Sequence, residues 1–397
     1  MPPSVQARNP YRPGVGLTPT HLTGREREIQ RFVNTLDGAP DIPASIRITG
    51  LRGVGKTVLL RKLEEVATER NWATIQLELQ PQQNSNAGLI AMLQSTTDRL
   101  RRDLSIATRV RRGLASAAEA MRRAVTVEWE GVSWSLAGDL AGDASALGDE
   151  LKETVDAALK AGKTGFALLL DEAQVLSDDK GREGDHPLSI LISAVSTLQR
   201  AGAPLALVLC GLPTLTVNLL AARTYTERMF TGEEVSSLDR RAAEDAFVLP
   251  LHDTGYSATP ELVAAVLDEV EGYPYFIQLW GKELWEIARA SGTTELSVPL
   301  LLEAREEIYR RLDLDFYEPR IASLTPAEQD LLVDSGKCSY PPLIVAELNS
   351  RSSKSSGNVN VLLGRLVAEN VIYRERKGQY IYTAPGFYQY LERRRRR

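Results

Sequence analysis

"ITGLRGVGKTVLL", residues 48–60, sets a short apolar run before Gly50, then four positions, then Gly55-Lys56-Thr57. The spacing is G-x-x-x-x-G-K-[ST], with an extra glycine at 53. It falls between a predicted strand, "SIRIT" (45–49), and a predicted helix, "KTVLLRKLEEVATER" (56–70), the context that gives this motif meaning. Glycines let backbone N–H groups turn inward around phosphate oxygens, and the following helix offers its positive N-terminal end. Gly50, Leu51, Arg52, Gly53, Val54, Gly55 and Val58 therefore read as a phosphate cradle. Lys56 is expected to reach the β- and γ-phosphates of ATP, and Thr57 to hold Mg²⁺.

Such a site needs an acidic partner at the end of another buried strand. "FALLLDEAQVL" (166–176) supplies it. Asp171 is expected to hold Mg²⁺ through water, and Glu172 to orient the attacking water. Carboxylates after an apolar strand can also cap the next helix. Two adjacent acids favour hydrolysis over holding the nucleotide.

The length of 397 residues suggests two or three domains. A 43% hydrophobic and 25% charged chain has an ordinary globular balance. Net charge is −5, yet residues 321–397 hold 12 Lys/Arg against 7 Asp/Glu, net +5, and residues 1–320 carry −10. That asymmetry permits a basic contact surface on an acidic protein. Cys210 and Cys338 have neither disulfide-framework nor zinc spacing, which fits a reducing cytosol. His21, His186 and His252 are scattered and suggest no metal cluster. The opening "MPPSVQARNPYRPG" has no apolar core, and "FALLL" and "LALVLCGL" are too short to span a bilayer. A soluble, cytoplasmic protein with no membrane partner is expected.

Residues 1–20 read as an extended arm. A helix is predicted near Gly24 in "REREIQRFVNTL" (25–36), and a strand in "WATIQLEL" (72–79). An insertion at about 84–146 follows. It reads as a long helix reaching Arg123, then a hairpin in "VTVEWEGVSWSL" (125–136). "AGDLAGDASALGD" (137–149) reads as a loose linker before a helix over 147–161. "LSILISAVSTLQR" (188–200) is a predicted helix and "APLALVLC" (203–210) a buried strand. Strands alternating with helices give a parallel α/β sheet with helices on both faces, over 21–238. Residues 239–320 read as a helical lid. Residues 321–397 read as a winged helix-turn-helix with a basic tail: three short helices, then two strands around Lys377-Gly378.

The P-loop, "LLLDEAQ", "LTGREREIQRF" (22–32) and the strand leading to "GLP" (211–213) resemble AAA+ ATPases. The likeness is to the branch that joins replication initiators, transposition regulators and STAND signalling ATPases. The layout also resembles a widespread group of prokaryotic ATP-binding proteins with a C-terminal winged helix. The resemblance implies that Gly24 and Arg25 close over adenine. It implies that Pro274, in "EGYPYFIQLWG" (271–281), lies against the nucleotide. It also implies that Arg228, in "ARTYTERMF" (222–230), reaches a neighbour's γ-phosphate in a homo-oligomer, with Arg223 as second candidate. The family's first sensor is a polar residue after the fourth strand; here Cys210-Gly211-Leu212-Pro213 stands there, with Thr214 a weak substitute. Gly272-Tyr273-Pro274 replaces the second sensor's arginine. Both departures suggest slow hydrolysis and a switch.

Two readings of function follow. One is a slowly hydrolysing, nucleotide-gated ATPase that oligomerises and uses its winged helix on duplex DNA or a protein partner. The other is a STAND-like regulatory scaffold with little hydrolysis, whose winged helix makes protein contacts. For DNA, Ser355, Ser356, Asn358 and Asn360 would face the major groove, while Arg351, Lys354, Arg374, Arg376 and Lys377 would meet phosphates or the minor groove. Eight arginines between Arg99 and Arg123 read either as a second phosphate stripe or as a solvated or intersubunit face. The hairpin with Trp129 and Trp134 reads as a docking ribbon or as a ribbon folded on its own sheet.

Overall fold

The computed structural model describes residues 8–14, 16–114, 139–178, 185–223, 225–369 and 371–396. Two compact units divide the chain: residues 25–50 with 55–236, and residues up to Gly24 with 51–54 and all from Ser237 on.

The first of these is an α/β unit. Its elements are α1 (Glu26–Gly38), β1 (Ala44–Thr49), α2 (Lys56–Glu69), β2 (Ala73–Glu78), α3 (Asn86–Leu114), α4 (Asp139–Lys160), β3 (Phe166–Asp171), α5 (Pro187–Arg200), β4 (Leu205–Gly211), α6 (Thr214–Ala222), α7 (Thr226–Met229) and β5 (Thr231–Glu234). The five strands form one sheet, β2-β3-β4-β1-β5, and every pairing is parallel. All of β3 and β4 is buried, as expected of central strands covered on both faces.

One core cluster joins Leu168, Leu170, Leu207 and Leu209 of the sheet to Leu89 and Leu93 of α3, Leu147 and Val155 of α4, and Ile192 and Val195 of α5. The stretch read as a loose linker is thus helical from Asp139. Ala144, Leu147, Leu151, Val155 and Ala158 recur at helical spacing and are fully buried, which outweighs the glycines. Gly142 lies in open space. The expected hairpin at 125–136 lies outside the described residues. β5 went unread because "TGEE" has no apolar alternation; it is an edge strand, held by pairing with β1 and by Arg31 against buried Glu233 at 2.5 Å.

The other unit contains α8 (Arg240–Val248), β6 (Ser257–Ala258), α9 (Pro260–Val270), α10 (Pro274–Ala290), β7 (Glu295–Leu296), α11 (Val298–Arg311), α12 (Glu318–Ala322), α13 (Pro326–Ser335), β8 (Leu343–Ile344), α14 (Val345–Arg351), α15 (Ser356–Ala368), β9 (Ile372–Arg376), β10 (Gln379–Tyr382) and α16 (Phe387–Arg396). The region read as wholly helical also holds a two-residue parallel pair, β6 with β7. The N-terminal arm is docked here: the Tyr11 hydroxyl donates to the Phe247 carbonyl at 2.5 Å, and Asn9 to the Lys282 carbonyl at 3.0 Å. Gly281 leaves room for the Tyr11 ring, since a Cβ there would lie 2.4 Å from it.

Thr325 and Glu328 form a capping box at the start of α13. Leu343 and Ile344 pair with β10, and the helix begins at Val345. Val359, Leu362, Leu363 and Leu366 are the buried stripe of α15. Residues 387–396 are helical, with Phe387, Tyr390 and Leu391 buried. Arg393 lies 2.6 Å from Asp313, which is 2% exposed. Breaking a buried pair leaves an uncompensated charge. Arg393→Ala is therefore expected to lower stability by ~3 kcal/mol in chemical denaturation, against little change for Arg395→Ala at an exposed position.

Among the described residues, no helix is long and apolar enough to cross a membrane.

Candidate nucleotide site

The loop between β1 and α2 is built as its glycines require. Gly53 and Gly55 have φ of +79° and +91°, which L side chains rarely adopt. Gly50 N–H donates to the Gly211 carbonyl at 3.2 Å, fixing the loop's start on the neighbouring strand. Gly55 caps α2, and Lys56 and Thr57 are its first residues, so both sit at the positive end of the helix.

β3 carries Asp171 to the same place. Asp171 is 2% exposed, and its Oδ2 accepts a 2.6 Å hydrogen bond from the Thr57 hydroxyl. Two residues separated by 114 positions thus meet, as the motif spacing implied. Beside them lies a cavity of about 420 Å³, lined by Arg61, Glu64, Glu65, Gln76 and Glu78 as well as Thr57 and Asp171. Leu77 completes the lining; four of its eight residues are acidic and Arg61 is the one base. Cys210, on β4 between β1 and β3, is completely buried. Burial first, then the nearby Asp171 charge, push its thiol well above the usual range, so it stays neutral. Among the described residues, no three His, Cys, Asp or Glu side chains form a metal cage. Mg²⁺ needs none, since it keeps several waters and takes one or two protein oxygens with substrate phosphates.

Glu172 has φ +52° and ψ +31°, a left-handed conformation that costs a non-glycine residue of order 1–3 kcal/mol and clusters at functional sites. Its N–H donates to Asp171 Oδ1 at 2.9 Å, and its carboxylate accepts from Gln174 Nε2 at 2.5 Å. Gln174 was not singled out in the sequence. It stands in "DEAQ", and its neighbour Gly211 was the available signal.

The other candidates are placed as follows. Arg25 is 5% exposed and donates to the Ser236 carbonyl at 2.7 Å; burial lowers its pKa, with Glu28 opposing. Gly24 has φ +67° and stands so close to Ala242 that a Cβ would lie 2.5 Å from it. Arg228, on α7, is exposed, whereas Arg223 is half-buried with an unpartnered Nε. In the unit that includes residues 51–54, the buried Tyr273 hydroxyl donates to the Arg52 carbonyl, and a Cβ on Gly53 would strike the same ring. Pro274, the first residue of α10, is half-buried. The "GYP" segment therefore touches the loop tip through Tyr273. Arg320, also unread, has its pKa lowered by burial and then by Arg52, and lies 4.0 Å over the Phe316 ring. Gly53→Ala combines a disfavoured φ with this clash, and is expected to weaken ATP binding at least tenfold by titration.

Of the DNA candidates, Ser356, Asn358, Asn360, Arg374, Arg376 and Lys377 are exposed. Exposed Arg351 lies 3.9 Å from Glu347, and Lys354 is mostly covered and 3.4 Å from Asp330. In the arginine stripe, Arg101 bonds Glu150 and Asp98, each at 2.5 Å, tying α3 to α4. The stripe's side chains from Arg109 on lie outside the described residues.

Residues 21–209 match the family described as AAA ATPase domain. No curated protein matches the sequence. Among solved structures, the Walker-type ATPase of Pyrococcus abyssi is 19% identical, with 94% of this chain and 96% of that one covered and a TM-score of 0.53. The ORC2 protein of Aeropyrum pernix, in its ADP form, is 14% identical, with 96% and 95% covered and a TM-score of 0.51. At these identities the likeness is one of fold. Sheet order, phosphate loop and family match agree: residues 21–209 match the AAA ATPase domain family, and the chain shares the fold of these two solved ATPase and ORC2 structures.

Proposed function

We propose that this protein binds ATP·Mg²⁺ and hydrolyses it slowly, as a nucleotide-gated switch that works as a homo-oligomer. The observation that carries the reading is the 2.6 Å contact of Thr57 with Asp171, which joins the phosphate loop to the end of a buried strand. The ADP form of the Aeropyrum pernix structure supports it at the level of fold. Thr57 and Asp171 would hold Mg²⁺, which neutralises phosphate charge. Lys56 binds the phosphates, and Glu172 takes up and orients the attacking water. Bound ligand raises stability by about 2.7 kcal/mol at a hundred times its Kd. Thermal unfolding with ATP is expected to show this rise and an added gain from Mg²⁺. Thr57→Ala should keep the ATP effect and lose the Mg²⁺ gain; an unchanged gain would count against the site.

We also propose that residues 321–397 act as a winged helix on duplex DNA. Exposed Arg374 and Arg376 on β9, Lys377 in the turn to β10, and a net charge of +5 support this. Each phosphate contact contributes ~0.9 to the log–log salt slope. Replacing both Arg374 and Arg376 by Ala in the ATP-bound full chain should flatten the slope by up to ~1.8. The scaffold reading has its own support. Exposed Val361 (56%) and open Gly357 and Gly364 give α15 an uncharged face suited to a protein partner. Absence of duplex binding at low salt would favour it.

A further inference from the structure

We propose that Gln174 is a positioning residue for ATP hydrolysis, taking the part of the polar side chain that the fourth strand lacks; this rests on the reading of Glu172 as the residue that orients water. At the end of β4 the Cys210 thiol is bonded to Asp171, and Gly211 and the following Leu212 offer no polar side chain to Glu172. The space is filled from the next strand. Gln174, in the turn after β3, lies across Gly211: a Cβ on that glycine would lie 2.3 Å from Gln174 Oε1.

The amide has one orientation that satisfies both neighbours. Its Oε1 accepts from Leu212 N–H at 2.9 Å, and a backbone N–H can only donate. Nε2 is thereby turned to Glu172 Oε2, 2.5 Å away, and a carboxylate can only accept. Gln174 therefore holds the Glu172 carboxylate in one rotamer. Its own turn is held by Asn218 of α6, whose Nδ2 donates to the Gln174 and Leu176 carbonyls at 3.0 Å each. The strained φ of Glu172 is fixed by the same turn, since Val175 N–H donates to the Glu172 carbonyl at 2.9 Å. α6 leads on to Arg223 and Arg228, so the carboxylate is tied to the segment that carries both arginines.

The test is steady-state Mg·ATP turnover of the full chain, with kcat and KM separated, for Gln174→Met, Gln174→Glu, Gly211→Ala, the double variant Gln174→Met/Gly211→Ala, and Glu172→Gln. General-base catalysis contributes 10²–10⁴-fold; losing the group that aims the base should lower kcat roughly 10- to 100-fold, with KM for ATP unchanged. Gln174→Glu, which keeps the length but removes the donor and sets a like charge beside Glu172, should lower kcat at least as far as Gln174→Met, again with KM unchanged. Gly211→Ala displaces Gln174 from the other strand and should reproduce the fall, with the double variant no worse than either single one. Parental kcat in Gln174→Met, with Glu172→Gln inactive, would overturn the inference alone. Parental turnover by Glu172→Gln would overturn it together with the reading on which it rests.

Discussion

Lys56→Ala is expected to lower ATP affinity about tenfold, and about a hundredfold if Lys56 spans two phosphates. A hydrogen bond to a charged group contributes ~1.5–3 kcal/mol, and ~1.4 kcal/mol is a factor of ten in Kd. Lys56 is 7% exposed at the start of α2, so its ammonium acts where water screens it little. Calorimetric titration measures the change. An affinity equal to the parental one would place the phosphates elsewhere.

Glu172→Ala should behave differently, because Glu172 lies beyond the loop and is held by Gln174 rather than by the phosphate cradle. It should keep ATP binding and lose turnover. The separation of the two phenotypes is what distinguishes a phosphate ligand from a group acting on the water.

The expected effect is larger for Arg228. An arginine supplied to a γ-phosphate in trans is worth ~10³–10⁵ in turnover. Arg228 is exposed on a four-residue helix, as a role in trans requires. Arg228→Ala should lose ~10³-fold or more in kcat. Turnover per subunit should rise with protein concentration in the parental chain. Mixing Arg228→Ala with Lys56→Ala subunits should restore activity, because a mixed interface joins an intact loop to an intact arginine. Concentration-independent turnover with no rescue would assign hydrolysis to a monomer, or the role to Arg223.

The parts legible in the sequence are those in which a short pattern has one physical meaning. Gly53 and Gly55 had to be glycines for their φ angles, and Asp171 had to end a strand buried on both faces. The Thr57–Asp171 contact follows from the two motifs. What escaped had no local signature. β5 is four polar residues whose strand geometry comes from its neighbour β1. The helix from Asp139 looked like a linker because glycines were weighed and the Ala/Leu spacing was not. Arg393 looked like a free tail charge, yet its partner Asp313 is 80 residues away. Gln174 was unread because the polar side chain was sought on β4, whereas it crosses from the turn after β3 over a glycine. Tertiary placement, not residue type, decided each of these.

The central claim is that Thr57, Asp171 and Glu172 form a working Mg·ATP hydrolysis site. Phosphate release by the purified full chain, with and without Mg²⁺ and beside Glu172→Gln, tests it most directly. The account predicts slow, Mg²⁺-dependent release by the parental chain, and ATP binding without release by Glu172→Gln. Release by Glu172→Gln at the parental rate, or none from the parental chain above the Lys56→Ala background at any concentration, would contradict it.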